Sequence, residues 1–136
     1  MPDKAAPVPT PPRTLNVLLI EDSEDDALLL LHRFKAAGYN VWSQRVEDER
    51  GLRDALVTRT WDLVLSDHNM PHFSAMAALS ILQGQGLDLP FIIVSGVIEE
   101  DIAVSAMRAG AHDYLSKGKL DRLIPAVERE IREARN

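Results

Sequence analysis

The stretch NVLLIEDSEDDALLLLHRFKAAG, residues 16–38, decides the fold. It opens with large apolar side chains at residues 17–20, a run typical of a fully buried β-strand. Apolar side chains at helical spacing follow, at Ala27, Leu30, Leu31, Phe34 and Ala37. Ser23 and Asp26 resemble a capping box at the start of this helix, and Gly38 predicts its end. A strand followed at once by an amphipathic helix is the repeating unit of α/β folds.

The same unit occurs five times along the chain. Strands are predicted near residues 16–20, 41–46, 62–66, 91–95 and 112–116, each followed by a helical pattern. The first, third and fourth strands are continuous apolar runs, which is typical of parallel strands covered by helices on both faces. We therefore predict an α/β fold of the (βα)5 type with a doubly wound, five-stranded parallel sheet.

The length of 136 residues predicts one domain, which we place at residues 15–136. Residues 1–14 contain five of the eight prolines and almost no large apolar side chain, so we expect a flexible tail there. The formal net charge of −6 argues against a sequence-independent grip on a phosphate backbone, and direct nucleic-acid binding is not expected.

The composition also bears on compartment and chemistry. No apolar run approaches the roughly 20 residues needed to span a bilayer, so no membrane partner is expected. The absence of cysteine excludes disulfides and thiol catalysis. The first 14 residues have no apolar core of the kind that secretion signals carry, and the protein is expected to be cytoplasmic.

Polar side chains stand where four of the predicted strands end. Glu21 and Asp22 follow the first strand, Asp67 the third, Ser95 the fourth, and Lys117 the fifth. In a parallel sheet these ends meet at one rim, where ligands bind. Clustered carboxylates repel one another unless a cation neutralises them, and hard oxygen ligands suit Mg²⁺. A divalent ion beside an ammonium and a hydroxyl can receive a phosphoryl group, so the rim indicates phosphoryl transfer.

These residues stand in motifs that resemble the receiver domain of bacterial two-component response regulators. The motifs are the acidic pair after strand 1, Asp67 in LVLSDHNMP, Ser95 in FIIVSG and Lys117 in AGAHDYLSK. The similarity covers about residues 16–134, and it implies a flavodoxin-like sheet with strand order 2-1-3-4-5. It implies a phosphorelay signalling protein that is not an enzyme beyond self-phosphorylation and slow autodephosphorylation.

The resemblance assigns a role to each residue. Asp67 would be the phosphoacceptor, taking a phosphoryl group from a histidine kinase or phosphotransfer protein. Mg²⁺, or Mn²⁺, would be held by Glu21, Asp22, Asp67 and the backbone carbonyl of Asn69. Ser95 would hydrogen-bond the phosphoryl group, and Lys117 would pair with it. Tyr114 would be the aromatic switch residue that, together with Ser95, reports phosphorylation.

The expected output is an altered surface around helix 4, strand 5 and helix 5, which contacts a downstream protein and is a candidate homodimer face. One departure from the family pattern concerns the loop before helix 5, because Gly118 follows Lys117 where such families usually carry proline.

Two alternatives remain at the level of sequence. A phosphohydrolase resembling the haloacid dehalogenase superfamily also uses a nucleophilic Asp, Mg²⁺, a hydroxyl and a Lys, but it places Asp-x-Asp after strand 1, where this chain reads Glu21, Asp22, Ser23. A flavodoxin-like electron carrier needs a phosphate-cradling loop after strand 1, and the acidic residues 21–26 would repel that phosphate.

Overall fold

The computed structural model describes residues 13–68 and 70–135. Strands and helices alternate along this part of the chain. Their order is β1 (Arg13–Ile20), α1 (Glu24–Ala36), β2 (Tyr39–Val46), α2 (Glu49–Thr58), β3 (Leu63–Ser66), α3 (Ala75–Gly84), β4 (Phe91–Ser95), α4 (Glu100–Ala109), β5 (Asp113–Ser116), a short 3₁₀ turn (Leu120–Arg122) and α5 (Leu123–Ala134).

The five strands form one parallel sheet in the order β2-β1-β3-β4-β5, which confirms the predicted topology. Because side chains alternate across a strand, β1 contributes to two core layers. Leu18 and Ile20 pack in the layer beneath α2, α3 and α4, while Val17 and Leu19 pack in the layer beneath α1 and α5. Burial on both faces explains why β1, β3 and β4 are continuous apolar runs.

The first two strands begin earlier than the sequence pattern indicated. Arg13 pairs with Tyr39 and Thr14 with Asn40, so β1 starts at Arg13 and β2 at Tyr39. The apolar pattern missed these residues because ladder pairing, rather than burial, makes them extended. Residues 1–12 of the predicted tail lie outside the described residues, and its last two residues extend β1.

Only half of the predicted capping box forms at the start of α1. The Ser23 hydroxyl accepts a hydrogen bond from the Asp26 backbone N–H at 3.1 Å, as an N-cap residue does. The Asp26 carboxylate does not return to Ser23 but bonds to Lys117 instead. At the other end of the chain, Pro125 is the third residue of α5, the first-turn position in which proline is tolerated.

In the part of the chain that the structure describes, every helix is too short or too polar to cross a lipid bilayer.

Candidate functional site

The carboxyl ends of β1 and β3 bring three carboxylates together. These strands are neighbours in the sheet, so Glu21 and Asp22 after β1 lie beside Asp67 after β3. One oxygen from each of the three carboxylates lies within 4.8 Å of the other two. The backbone is fixed here by ladder hydrogen bonds, from Glu21 N–H to the Val46 carbonyl at 2.9 Å and from Asp67 N–H to the Ile20 carbonyl at 2.8 Å. The sheet thus sets their spacing.

The three carboxylates differ in their access to water. Glu21 is buried, Asp22 is exposed, and the Asp67 side chain retains 10% of its exposure. Burial raises the pKa of the Glu21 carboxyl to about 7, and the nearby Asp67 charge acts in the same direction. Hydrogen bonds from Lys117 and from the Ser23 backbone oppose this shift but do not cancel it. The charged form of Glu21 is therefore held at a cost in free energy.

Lys117 extends from the end of β5 into this cluster. Its Nζ donates to Glu21 Oε1 at 2.7 Å and to Asp26 Oδ2 at 2.7 Å, and it lies 3.6 Å from Asp67 Oδ2. Burial alone would lower the pKa of the Lys117 ammonium, but the hydrogen bonds to Asp26 and Glu21 raise that pKa to about 12. The side chain is therefore a fixed positive charge at the centre of the rim.

Asp26 is a site residue that the sequence pattern did not single out. It lies in the first turn of α1, four residues after Asp22, and its carboxylate is the second short partner of Lys117. Its position in the first turn of the helix that follows β1 was the signal from which a carboxylate near the site could have been predicted. With Asp26 included, three carboxylates lie within 3.6 Å of the Lys117 ammonium, and Asp22 lies beside two of them.

The donor set fits a hard divalent cation. Glu21, Asp22 and Asp67 offer carboxylate oxygens, and the exposed Asp22 leaves one side of the group open to solvent. Mg²⁺ binds through few protein oxygens and keeps water or phosphate oxygens in its other positions. The predicted fourth ligand, the Asn69 backbone carbonyl, lies outside the described residues.

Ser95, at the end of β4, is buried and bonded within its own loop. Its hydroxyl donates to the Val97 carbonyl at 2.8 Å and accepts from the Val97 N–H at 3.3 Å. A hydrogen bond to a group on Asp67 would require rotation of this hydroxyl away from Val97.

Tyr114 lies in β5 with its ring against the core layer beneath α2, α3 and α4. Its hydroxyl is buried, and so is Nδ1 of His68, the residue after Asp67; neither atom has a hydrogen-bond partner in the described part of the chain. The two rings are 5.9 Å apart between centroids. The proximity of His68 to Tyr114 was not predictable from sequence, since it depends on how β3 and β5 are placed around β4.

Gly118 replaces the usual proline without disturbing Lys117. The Lys117 N–H donates to the Ser95 carbonyl at 2.8 Å, which continues the β4–β5 pairing to the rim. The Gly118 N–H then donates to the Ser116 hydroxyl at 3.0 Å, a bond that proline could not make. This loop is therefore held by a local side-chain bond.

Comparison with known proteins shows a consistent similarity. The family model described as "Response regulator receiver domain" matches residues 17–128. The chain is 31% identical over 122 residues to the cell cycle transcriptional regulator CtrA of Caulobacter vibrioides, covering 89% of this chain and 52% of that protein. It is 36% identical over 117 residues to the C4-dicarboxylate transport transcriptional regulatory protein DctD of Pseudomonas aeruginosa, covering 85% of this chain and 25% of that protein.

Solved structures show the same similarity. The signal receiver domain of a signal transduction histidine kinase from Syntrophus aciditrophicus is 28% identical, with a TM-score of 0.74 over 88% of this chain and 91% of that one. The receiver domain of Francisella response regulator 1452 shares the fold, with a TM-score of 0.76 at 24% identity over 88% of this chain and 98% of that one. The chain spans about half or less of the length of the curated relatives named above.

Proposed function

The chain belongs to the response regulator receiver domain family of two-component systems, and on that premise we propose that it is a signalling switch phosphorylated on Asp67. The observation that carries this proposal is the position of the Asp67 carboxylate. It keeps a small opening to solvent, lies within 4.8 Å of two further carboxylates and lies 3.6 Å from the Lys117 ammonium. A nucleophile between a cation site and a fixed ammonium is arranged to accept a phosphoryl group.

The reaction is a transfer between two covalent bonds. An Asp67 carboxylate oxygen attacks phosphorus, a P–O bond forms, and the bond from phosphorus to the donor breaks with its electron pair remaining on the donor. A phosphohistidine of a kinase or phosphotransfer protein, or a small acyl phosphate, would serve as donor. The product is an acyl phosphate on Asp67.

The residues around Asp67 each have a part in this step. Glu21, Asp22 and Asp67 would hold Mg²⁺ or Mn²⁺, with the Asn69 carbonyl as a further ligand. When bound, the cation supplies positive charge that lets a phosphoryl anion approach the carboxylates. Lys117 neutralises a phosphoryl oxygen from the other side, because its ammonium is already close to Asp67.

The switch would follow from the same geometry. To bond the phosphoryl group, the Ser95 hydroxyl must release Val97, which alters the loop between β4 and α4. Tyr114 would respond to this change, because its buried hydroxyl has no hydrogen-bond partner among the described residues and can take a new one. Such a change biases the surface formed by α4, β5 and α5.

Partners of two kinds follow from this proposal. A histidine kinase or phosphotransfer protein would supply the phosphoryl group, and a downstream protein or a second copy of the chain would contact the α4, β5 and α5 surface. Exposed apolar side chains at Val104 and Met107 of α4 support a protein contact there. Curated relatives include a protein named as a DNA-binding transcriptional regulator, NtrC of Klebsiella pneumoniae, of which this chain covers 24%.

The haloacid dehalogenase alternative gains no support from the family match or from these relatives. In the structure, β1 is followed by the buried Glu21, then Asp22, then Ser23 as the N-cap of α1. The haloacid dehalogenase superfamily has its nucleophilic aspartate at the first of these three positions, where this chain has glutamate.

Intact mass measurement after incubation with acetyl phosphate and Mg²⁺ tests the proposal. The wild type is expected to gain one phosphate, and Asp67→Asn none. Asp54→Asn, the same substitution at an exposed position of α2, is the matched control and should label like the wild type. Equal labelling of Asp67→Asn would refute the assignment.

A further inference from the structure

Lys117 is shared unequally among the carboxylates around it. Its Nζ lies 2.7 Å from Glu21 Oε1 and 2.7 Å from Asp26 Oδ2, but 3.6 Å from Asp67 Oδ2. The first two distances are those of charge-assisted hydrogen bonds, whereas the third is a longer ion pair. In this state the ammonium is therefore directed toward Glu21 and Asp26 rather than toward Asp67.

Asp26 differs from the other partners of Lys117. Glu21 and Asp67 belong to the group of carboxylates that lie within reach of one cation, and Asp26 does not. The backbone of Asp26 is held in place, because its N–H donates to the Ser23 hydroxyl at 3.1 Å. Its carboxylate therefore competes for the ammonium from a position outside the group of carboxylates that could share a cation.

We propose that Asp26 is a positioning residue that restrains Lys117 and thereby limits phosphorylation of Asp67. This inference rests on the proposed function. In the state described here Asp26 draws the ammonium away from Asp67. A phosphoryl group on Asp67 must compete with the Asp26 carboxylate for hydrogen bonds from the Lys117 ammonium. The negative charge of Asp26 also repels the incoming phosphoryl group.

Two consequences of opposite sign follow when Asp26 is neutralised. The ammonium becomes available to the incoming phosphoryl group, so phosphorylation at saturating Mg²⁺ becomes faster. Without a phosphoryl group, however, the same ammonium turns toward Glu21 and Asp67 and competes with the cation for them. Mg²⁺ therefore binds more weakly. A general loss of structure would instead lower both the phosphorylation rate and the affinity for Mg²⁺.

Asp26→Asn tests the proposal, with Asp25→Asn as the matched control. Asp25 lies in the same turn of α1, carries the same charge and is exposed, and it forms no ion pair in the described part of the chain. For Asp26→Asn we expect the maximal rate of labelling by acetyl phosphate to rise roughly threefold to tenfold, with Mg²⁺ half-saturation shifted to higher concentration. Asp25→Asn should stay within about twofold of the wild type on both measures.

A labelling rate of Asp26→Asn that is unchanged or slower at saturating Mg²⁺ would overturn the inference. An equal acceleration in Asp25→Asn would also overturn it, because the effect would then belong to the surface field and not to Lys117. Circular dichroism melting of both variants shows whether the fold is intact.

The same samples separate this inference from the proposed function. If the wild type takes no phosphate on Asp67, the proposed function fails. Mg²⁺ binding measured by calorimetry still tests the restraint on Lys117. Weaker binding to Asp26→Asn than to Asp25→Asn supports it, and equal binding contradicts it.

Discussion

The two ends of the parallel sheet differ in how their charged side chains are balanced. At the amino ends of the strands, the Arg13 guanidinium bonds Glu128 at 2.8 Å and the Tyr39 hydroxyl at 2.9 Å, while that hydroxyl donates to Glu128 at 2.6 Å. In this network one cation meets one anion. At the carboxyl ends, the Lys117 ammonium meets three carboxylates, those of Glu21, Asp26 and Asp67, and the Asp22 carboxylate lies beside two of these.

This difference separates a stabilising network from a binding site. The network of Arg13, Tyr39 and Glu128 is locally neutral and joins β1, β2 and α5. The acidic rim has an excess of negative charge, and the buried Glu21 is held in it with a pKa raised to about 7. The excess charge and the burial disfavour the ionised form of Glu21, and a bound cation would offset that cost, so the rim indicates a ligand that the fold alone does not supply.

The largest effect is expected from removing a cation ligand at the rim. Asp22→Ala should weaken Mg²⁺ binding by about 100-fold while leaving the fold intact, because Asp22 is exposed and packs little. Calorimetric titration with Mg²⁺ measures this, and labelling by acetyl phosphate should fall with it. Undiminished labelling of the wild type in excess chelator would break the link between the acidic rim and a cation.

Glu21→Gln should stabilise the cation-free protein in a pH-dependent way. Because the folded-state pKa of Glu21 is raised from 4.5 to about 7, its charge costs nothing below pH 4.5 and costs progressively more up to about pH 7. The advantage of Glu21→Gln in unfolding free energy should therefore grow over that window, by up to about 3 kcal/mol at pH 8. The glutamine oxygen can still accept from Lys117. An advantage that does not change with pH, measured by urea denaturation in chelator, would contradict the burial argument.

The Val97 side chain is expected to affect how long the phosphate remains on Asp67. It is 62% exposed beside the Ser95 loop and offers no polar group to orient water. We expect the phosphorylated wild type to persist at least as long as phosphorylated Val97→Glu, in which a carboxylate could position an attacking water. Parallel decay measurements after removal of the donor compare the two. A clearly faster loss from the wild type would exclude shielding by Val97.

The smallest effect on stability and labelling is expected in the neutral network of Arg13, Tyr39 and Glu128. Glu128→Gln should lower the unfolding free energy by less than about 1 kcal/mol, because the Arg13–Glu128 pair is partly exposed and the amide oxygen still accepts hydrogen bonds. Labelling of Asp67 should not change. A loss of labelling equal to that of Asp22→Ala would remove the distinction between the two ends.

The sheet and the rim were predictable from sequence because both depend on local pattern. Continuous apolar runs indicated buried parallel strands, and parallel strands bring Glu21, Asp22, Asp67 and Lys117 to one end whatever their distance along the chain. The family match over residues 17–128 confirms the predicted membership of the receiver domain family.

Other features needed three-dimensional packing. The pairing of Asp26 with Lys117 depends on which of several carboxylates a long side chain reaches, and the same contact prevents the reciprocal half of the capping box. The proximity of His68 and Tyr114 depends on two strands separated by β4. Periodicity carries no information on such contacts.

Unfolding free energy with and without Mg²⁺ tests most directly the claim that the acidic rim binds a cation through Asp22. Urea denaturation at pH 8, followed through the fluorescence of Trp42 and Trp61, is suitable, because these are the two tryptophans of the chain. Mg²⁺ at about 100 times its dissociation constant should stabilise the wild type by roughly 2.7 kcal/mol, and the same concentration should stabilise Asp22→Ala far less. A wild type that Mg²⁺ does not stabilise, or an Asp22→Ala variant that it stabilises equally, would contradict this account.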